Sequence, residues 1–202
     1  LRDNGINCPA DDFPVAQVHI SVPMQHVYRM RSLCRIEHQH PHIVYACLND
    51  NGPARRRLLE AIISSECASF VRWGSASGYK IEQTLSPVSP PIYYDEIAHS
   101  RAAIACQGAN SCTLRQSEIM ALGVCLITDD AGWRDDDGSD PLVDGEVCLR
   151  YSSPEECVEK CRWVATHPSE AKEIGENGRK LYLERHSPAM QAMRMIKRAG
   201  LA

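Results

Sequence analysis

The sequence lacks most of the features that mark a specialised class. No apolar run approaches the roughly 20 residues needed to span a bilayer, and no signal-peptide pattern stands at the N-terminus. There is no Asn-x-Ser/Thr sequon to argue for secretion. Positive charge is not in excess. The formal net charge is −4, which removes any whole-molecule electrostatic reason to bind nucleic acid or an anionic membrane. Ten cysteines are present, yet no pair has CxxC or zinc-knuckle spacing. No internal repeat is found, and EF-hand spacing is missing from the acidic stretch 129–145 with its seven aspartates. The first residue is Leu1, not Met, and the chain is expected to be part of a longer protein.

What is present is ordinary for a globular chain: 202 residues, 44% apolar and 24% charged, long enough to bury a core. Cys47, Cys106, Cys125 and Cys148 fall in apolar runs, where free thiols act as small hydrophobes; Cys157 and Cys161 are spaced for helix packing. Apolar runs near 42–48, 69–73, 102–106, 124–128 and 146–151 read as strands, and helical patterns alternate with them. That alternation predicts an α/β fold, a doubly wound, mostly parallel, Rossmann-like sheet closed by C-terminal helices.

Pro53 opens a helix whose inner face is read as Ala54, Leu58, Ala61 and Ile62, with Arg55, Arg56 and Arg57 in its first turn. Those arginines are either a solvated basic face or guanidinium groups aimed at a phosphate. Residues 92–100 read as a short helix with Tyr93, Ile97 and Ala98 inward. Ser153-Pro154-Glu155-Glu156 is a capping box. A further helix carries Ala171, Ile174, Gly178 and Leu181, and a terminal one Met190, Met193 and Ile196. His38, His40 and His42 alternate around Pro41, a loop pattern more than a metal site. The acidic stretch reads as a solvated loop.

The stretch 102–128 organises the chain: strand, turn (Gln107-Gly108-Ala109-Asn110-Ser111), helix from Thr113, Gly123, strand. Such sheets bind ligands beyond the carboxyl ends of their strands. The candidate turns are 49–57, 73–78, 107–115 and 129–133. Thr113 and Gln116 have capping-box spacing, so Thr113 is expected to cap the helix and aim first-turn N–H groups near Leu114 and Arg115 at an anion. Glu118 lies one turn deeper among Leu114, Ala121 and Leu122, close to the buried stripe. Its carboxylate suits a vicinal diol; an exposed i, i+3 pair with Arg115 is the plainer alternative.

Residues 113–123, Thr-Leu-Arg-Gln-Ser-Glu-Ile-Met-Ala-Leu-Gly, resemble the nucleotide-sugar motif of GT-B-type glycosyltransferases, roughly S/T-x-R-x-x-E-x-x-A-x-G before an apolar strand. Asp144-Gly145-Glu146, the Ser153–Glu156 helix start, and the segments 175–179 and 184–187 resemble the tail of glycosyl transferases group 1. The spore-maturation-type or exostosin-like subgroup is the most similar. The resemblance implies that residues 37–202 are a donor-binding domain and that 1–36 are a remnant of, or linker to, an acceptor domain. It implies a UDP- or GDP-linked sugar as ligand, with no cofactor or metal required, and a sugar, protein or small-molecule acceptor. By the same resemblance Thr113, Leu114, Arg115, Arg55 and Arg56 would bind the diphosphate and Glu118 the ribose. Trp73, Gly74, Gly108, Asn110 and Ser111 would lie near base or sugar. Retaining members carry a second Glu eight residues before the ribose Glu, where this chain has Asn110. No catalytic base is identified. A non-catalytic nucleotide-binding domain and a structural domain on the same fold are the rival readings. Beside donor and acceptor, the partners expected are a missing N-terminal domain or a homo-oligomer, with no nucleic acid. Both the cytoplasm and the luminal side of an anchored enzyme stay open.

Overall fold

The computed structural model describes residues 42–49, 52–65, 67, 70–74, 90–107, 113–129, 135 and 139–200. Five strands form one sheet: β1 His42–Asn49, β2 Phe70–Gly74, β3 Ser100–Ala105, β4 Cys125–Thr128 and β5 Leu149–Arg150. Their order is β2-β1-β3-β4-β5 and every pairing is parallel. The helices are α1 Pro53–Ser65, α2 Pro90–Ala98, α3 Leu114–Leu122, α4 Pro154–Thr166, α5 Pro168–Leu181 and α6 Pro188–Arg198. A π-helical turn, Tyr182–His186, joins the last two.

Strands covered on both faces need apolar residues at odd and even positions alike, and β1 and β3 supply them. Val44, Ala46, Ala102 and Ile104 face one core with Leu58, Leu59 and Ile62 of α1 and Cys157, Cys161 and Val164 of α4. Tyr45, Ala103 and Ala105 face the other, with Ile97 of α2, Ile119 and Met120 of α3, and Tyr182. The three alanines of central strand β3 let helices approach closely from both sides. In α1 the expected face is corrected: Leu59 is buried, whereas Ala54 is exposed and Ala61 only half-buried. Leu58 and Ile62 are buried as expected, and Leu59 completes the stripe.

Three more expectations are revised. Ser100 starts β3 and is not the end of α2. The last strand shrinks to Leu149–Arg150, preceded by an isolated bridge between Asp144 and Cys148. The acidic stretch is not simply solvated where it is described. Asp140 bonds Arg150 Nη1 at 2.7 Å, Asp144 bonds Lys160 Nζ at 3.2 Å, and Asp135 meets Arg185, His186 and Arg194. Those partners come from elements later in the chain, invisible to local spacing.

Local chemistry sets the boundaries that matter. Gly123 ends α3 in a left-handed conformation (φ 75°), with its N–H and that of Val124 turning back to Met120 and Ile119 carbonyls, a Schellman-type stop. α5 crosses this corner. A Cβ on Gly175 would lie 2.6 Å from Gly123 O and 2.9 Å from Cys125 N, so only glycine fits. Ser153 Oγ accepts Glu156 N–H at 3.2 Å and starts α4; the Glu156 carboxylate bonds N–H and Oγ of Ser152, one residue earlier than a standard capping box. On α6, Met193, Met195 and Ile196 are exposed.

Candidate functional site

Neighbouring strands β1 and β3 send their following helices to opposite faces: α1 joins one core and α3 the other. This is the topological switch point, where a crevice opens beyond the strand ends. Three charged groups from separate elements gather at the end of β3. Arg55 Nε donates to Gln107 O at 3.0 Å and Nη2 to Cys106 O at 3.4 Å. Asp129, just past β4, accepts the Gln107 N–H on both oxygens, at 2.9 and 2.7 Å. The buried Cys106 thiol is pushed up, first by burial, and feels the charges of Arg55, Asp129 and Arg115.

A cleft of about 1060 Å³ lies on the α1/α4 side of this edge. Arg55, Arg57, Gln107, Asp129, Tyr151 and Ser153 are among the residues lining it. The starts of α1 and α4, at Pro53 and Pro154, both border it, with Glu155 of α4 also on its lining. Arg57 lines it together with Arg55.

On the other side stands the start of α3. The capping box is half formed. Gln116 Oε1 accepts Thr113 N–H at 2.7 Å, but Gln116 N–H goes to the backbone carbonyl of Thr113 at 3.2 Å, and the Thr113 hydroxyl makes no capping bond. Thr113 is the N-cap residue, as its spacing suggested, with Gln116 making the bond to its N–H. Gln116 is the working residue: fully buried, it also donates from Nε2 to Thr128 Oγ1 at 2.9 Å. This fastens the helix start to the end of β4. No acidic residue occupies the first turn, so nothing there opposes an anion. Leu114 is 40% exposed at that first position.

Glu118 is 6% exposed, which excludes the plain reading of a solvated surface pair. A buried carboxylate needs donors, and two tyrosines of α2 supply them. Tyr94 Oη donates to Oε1 at 2.7 Å and Tyr93 Oη to Oε2 at 2.9 Å. Arg115 Nε donates to Tyr93 Oη at 3.1 Å, and its guanidinium carbon lies 5.8 Å from the Tyr93 ring centre. Burial pushes both phenols above their ordinary range, so they stay donors at neutral pH. The sequence reading placed Tyr93 inward as packing and gave Tyr94 no role. The signal it held was a carboxylate next to the buried stripe, where a solvated partner could not satisfy it.

Arg55, Thr113, Leu114, Arg115 and Glu118 thus stand along the ends of β1 and β3. Trp73 and Gly74 end β2, beside β1 in register with Leu48 and Asn49. Gly108, Asn110 and Ser111 lie outside the described residues, as do His38 and His40. The turn Tyr151–Ser153 was missed as part of the cleft. No cluster of three or more metal-ligating side chains occurs among the described residues, and no described helix is long and apolar enough to cross a membrane.

The family model described as glycosyl transferase-like matches residues 55–197. No curated protein matches the chain in sequence. Among solved structures, the C-terminal domain of a glycosyl transferase group 1 family protein, LpcC, from Francisella tularensis is similar with a TM-score of 0.56 at 12% identity, covering 85% of this chain and 96% of that one. HepE of Anabaena, solved in complex with UDP, gives a TM-score of 0.61 at 11% identity, covering 90% of this chain and 54% of that one. Sucrose-phosphate synthase from Thermosynechococcus elongatus gives 0.58 at 12% identity, covering 88% and 50%. At these identities the likeness is one of fold. The chain spans nearly all of the isolated domain and about half of the two longer chains.

Proposed function

The chain belongs to the glycosyl transferase-like family, and from that premise we propose that it is the donor-binding half of an enzyme moving a sugar from a nucleotide diphosphate to an acceptor. One observation carries the reading: at the switch point, α3 presents an anion-compatible N-terminus with Arg115 in its first turn and a buried, donor-fixed Glu118 one turn deeper. The diphosphate would sit at Thr113–Arg115, with Arg55 reaching it from α1. The ribose would face Glu118, and the base the ends of β1 and β2 near Trp73 and Gly74. UDP bound to the similar HepE supports a nucleotide ligand for this fold.

In the transfer itself the diphosphate leaves carrying charge. Helix N–H groups and arginine side chains stabilise that charge electrostatically as it develops. No metal is assigned a part. The acceptor and any general base would come from a second half, whether another domain or another chain.

Calorimetric titration of UDP and GDP into the wild type, Arg115→Ala and Glu118→Ala tests the donor site. Binding of one nucleotide, weakened about tenfold or more by each change, is expected for charge-assisted contacts. Absence of binding to both, or affinity unchanged in both variants, would sink the assignment. A second reading is nucleotide binding without transfer; Asn110, standing where retaining members of the resembled family often carry a Glu, speaks to retention of configuration and the sugar contact, not to transfer as such. Hydrolysis of a UDP- or GDP-sugar by a longer chain containing both halves separates the two.

A further inference from the structure

Resting on that donor-site reading, we propose that Tyr93 and Tyr94 are the positioning residues of the ribose site, and that Tyr93 couples recognition of the diol to recognition of the diphosphate. Each carboxylate oxygen accepts about two hydrogen bonds. The two phenols take one position on each oxygen of Glu118: Tyr94 on Oε1 at 2.7 Å and Tyr93 on Oε2 at 2.9 Å. One acceptor direction is then left per oxygen. A vicinal diol supplies two O–H donors at matching separation, one for each. Without the phenols, the Glu118 side chain would rotate about its own bonds and could turn both oxygens away.

The tyrosines are held in their turn. The Tyr93 ring meets the Tyr45 ring edge-on at 6.2 Å and the Tyr94 ring at 5.3 Å, and Tyr45 Oη donates to Glu96 at 3.0 Å. This anchors the clamp to β1, so Glu118 is fixed before any ligand arrives, as a preorganised site requires.

Tyr93 does a second thing that Tyr94 does not. A phenol has one donor and accepts elsewhere on the same oxygen. Tyr93 donates to Glu118 and accepts from Arg115 Nε at 3.1 Å. The relay Arg115–Tyr93–Glu118 polarises in one direction, each bond strengthening the next. It also holds the Arg115 guanidinium through Nε, in the first turn of the helix. A diphosphate at that turn and a diol at Glu118 are therefore read by one connected unit.

The test uses UDP, GDP and their 2′-deoxy forms, with UMP and GMP as single-phosphate controls. Each is titrated calorimetrically into the wild type, Tyr93→Phe, Tyr94→Phe and the double variant, with thermal melts run alongside. Phenylalanine keeps the rings and removes only the hydroxyls. The wild type is expected to prefer the ribonucleotide by about tenfold or more, since a site built to bond a hydroxyl rejects its absence. The double variant should bring that preference to within about threefold. Tyr93→Phe alone should also shrink the preference for diphosphate over monophosphate, and Tyr94→Phe should leave it unchanged. A uniform loss of affinity for every nucleotide, with both ratios preserved, would make the tyrosines merely structural and overturn the proposal. No wild-type binding, or no wild-type preference for the ribonucleotide, overturns the donor-site reading and this proposal together. A wild-type preference that survives unchanged in folded variants overturns this proposal alone. If Tyr93→Phe fails to fold, the diol ratio in Tyr94→Phe decides the positioning claim.

Discussion

Gln116→Met isolates what fastens the site to the sheet. The side chain is fully buried and bridges two elements: Oε1 takes the Thr113 N–H at 2.7 Å, and Nε2 gives to Thr128 Oγ1 at 2.9 Å. Methionine fills similar space and makes neither bond. Losing a cap at a helix start costs about 1 kcal/mol. Leaving the buried Thr128 hydroxyl unpaired adds about 1–3 kcal/mol. The sum is roughly 2–4 kcal/mol. With a urea slope of about 2 kcal/mol per M, the unfolding midpoint should drop by about 1–2 M. Thr128→Val in the same background removes the stranded hydroxyl. The double variant should then cost less than the two singles added, with a coupling of about 1–2 kcal/mol. Urea unfolding followed by circular dichroism measures all four corners of the cycle. A midpoint shift under about 0.3 M for the single variant, or strict additivity in the cycle, would refute the claim that this side chain ties α3 to β4.

Gly175→Ala should destabilise by at least about 1–3 kcal/mol, because the new methyl meets only backbone atoms of Gly123, Val124 and Cys125; an unchanged melting temperature would count against the packing described. Glu156 is held below its ordinary value, chiefly by the Ser152 hydroxyl and then by the Ser152 N–H. Its contribution is therefore present above the ordinary carboxylate value of 4.5 and lost as pH falls through the lowered one. Glu156→Gln should melt below the wild type at pH 7, and the gap should close as pH falls below the ordinary carboxylate range and through the lowered value; a gap that stays constant with pH would contradict this. Cys125 and Cys148 are both pushed up to about 12, first by burial. In native protein at about pH 8 they should resist thiol reagents, with mass spectrometry finding them labelled only after denaturation.

The alternation of strands and helices was legible because each βα step changes the period of the apolar pattern. The burial of Glu118 was legible too, from its apolar neighbours at helical spacing. What closes around it was not. Tyr93 and Tyr94 lie 25 and 24 residues earlier, and spacing along a chain says nothing about which carboxylate a tyrosine will meet across two helices. Gln116 illustrates a subtler limit. Its place in a capping-box pattern was visible, but the pattern pointed to the Thr113 hydroxyl, whereas the buried amide does the work by reaching Thr128 on the next strand. Tyr151 and Ser153 joined the cleft only through sheet order: α4 follows β5 yet packs beside α1, and that neighbourhood belongs to the topology. Asp135 likewise found its cation Arg185 50 residues away.

The strand order also explains why so few side chains make up the site. At the switch between β1 and β3 the two following helices leave in opposite directions, and among the described residues Arg55 from the first turn of α1 and Asp129 from the end of β4 reach the backbone at the end of β3. Arg55 reaches in from α1 and binds the carbonyls of Cys106 and Gln107. A phosphate oxygen is a stronger acceptor for guanidinium than a carbonyl, because a charge-assisted bond has about twice the strength of a neutral one. Exchange of those carbonyls for a diphosphate would therefore favour binding without any refolding of α1. Arg115, pinned through Nε to Tyr93, would meet the same anion from α3. The two arginines come from helices on opposite faces of the sheet, and Glu118 lies about one turn further along the same helix as Arg115. That order, anion at the helix start and diol one turn on, fits a nucleoside diphosphate.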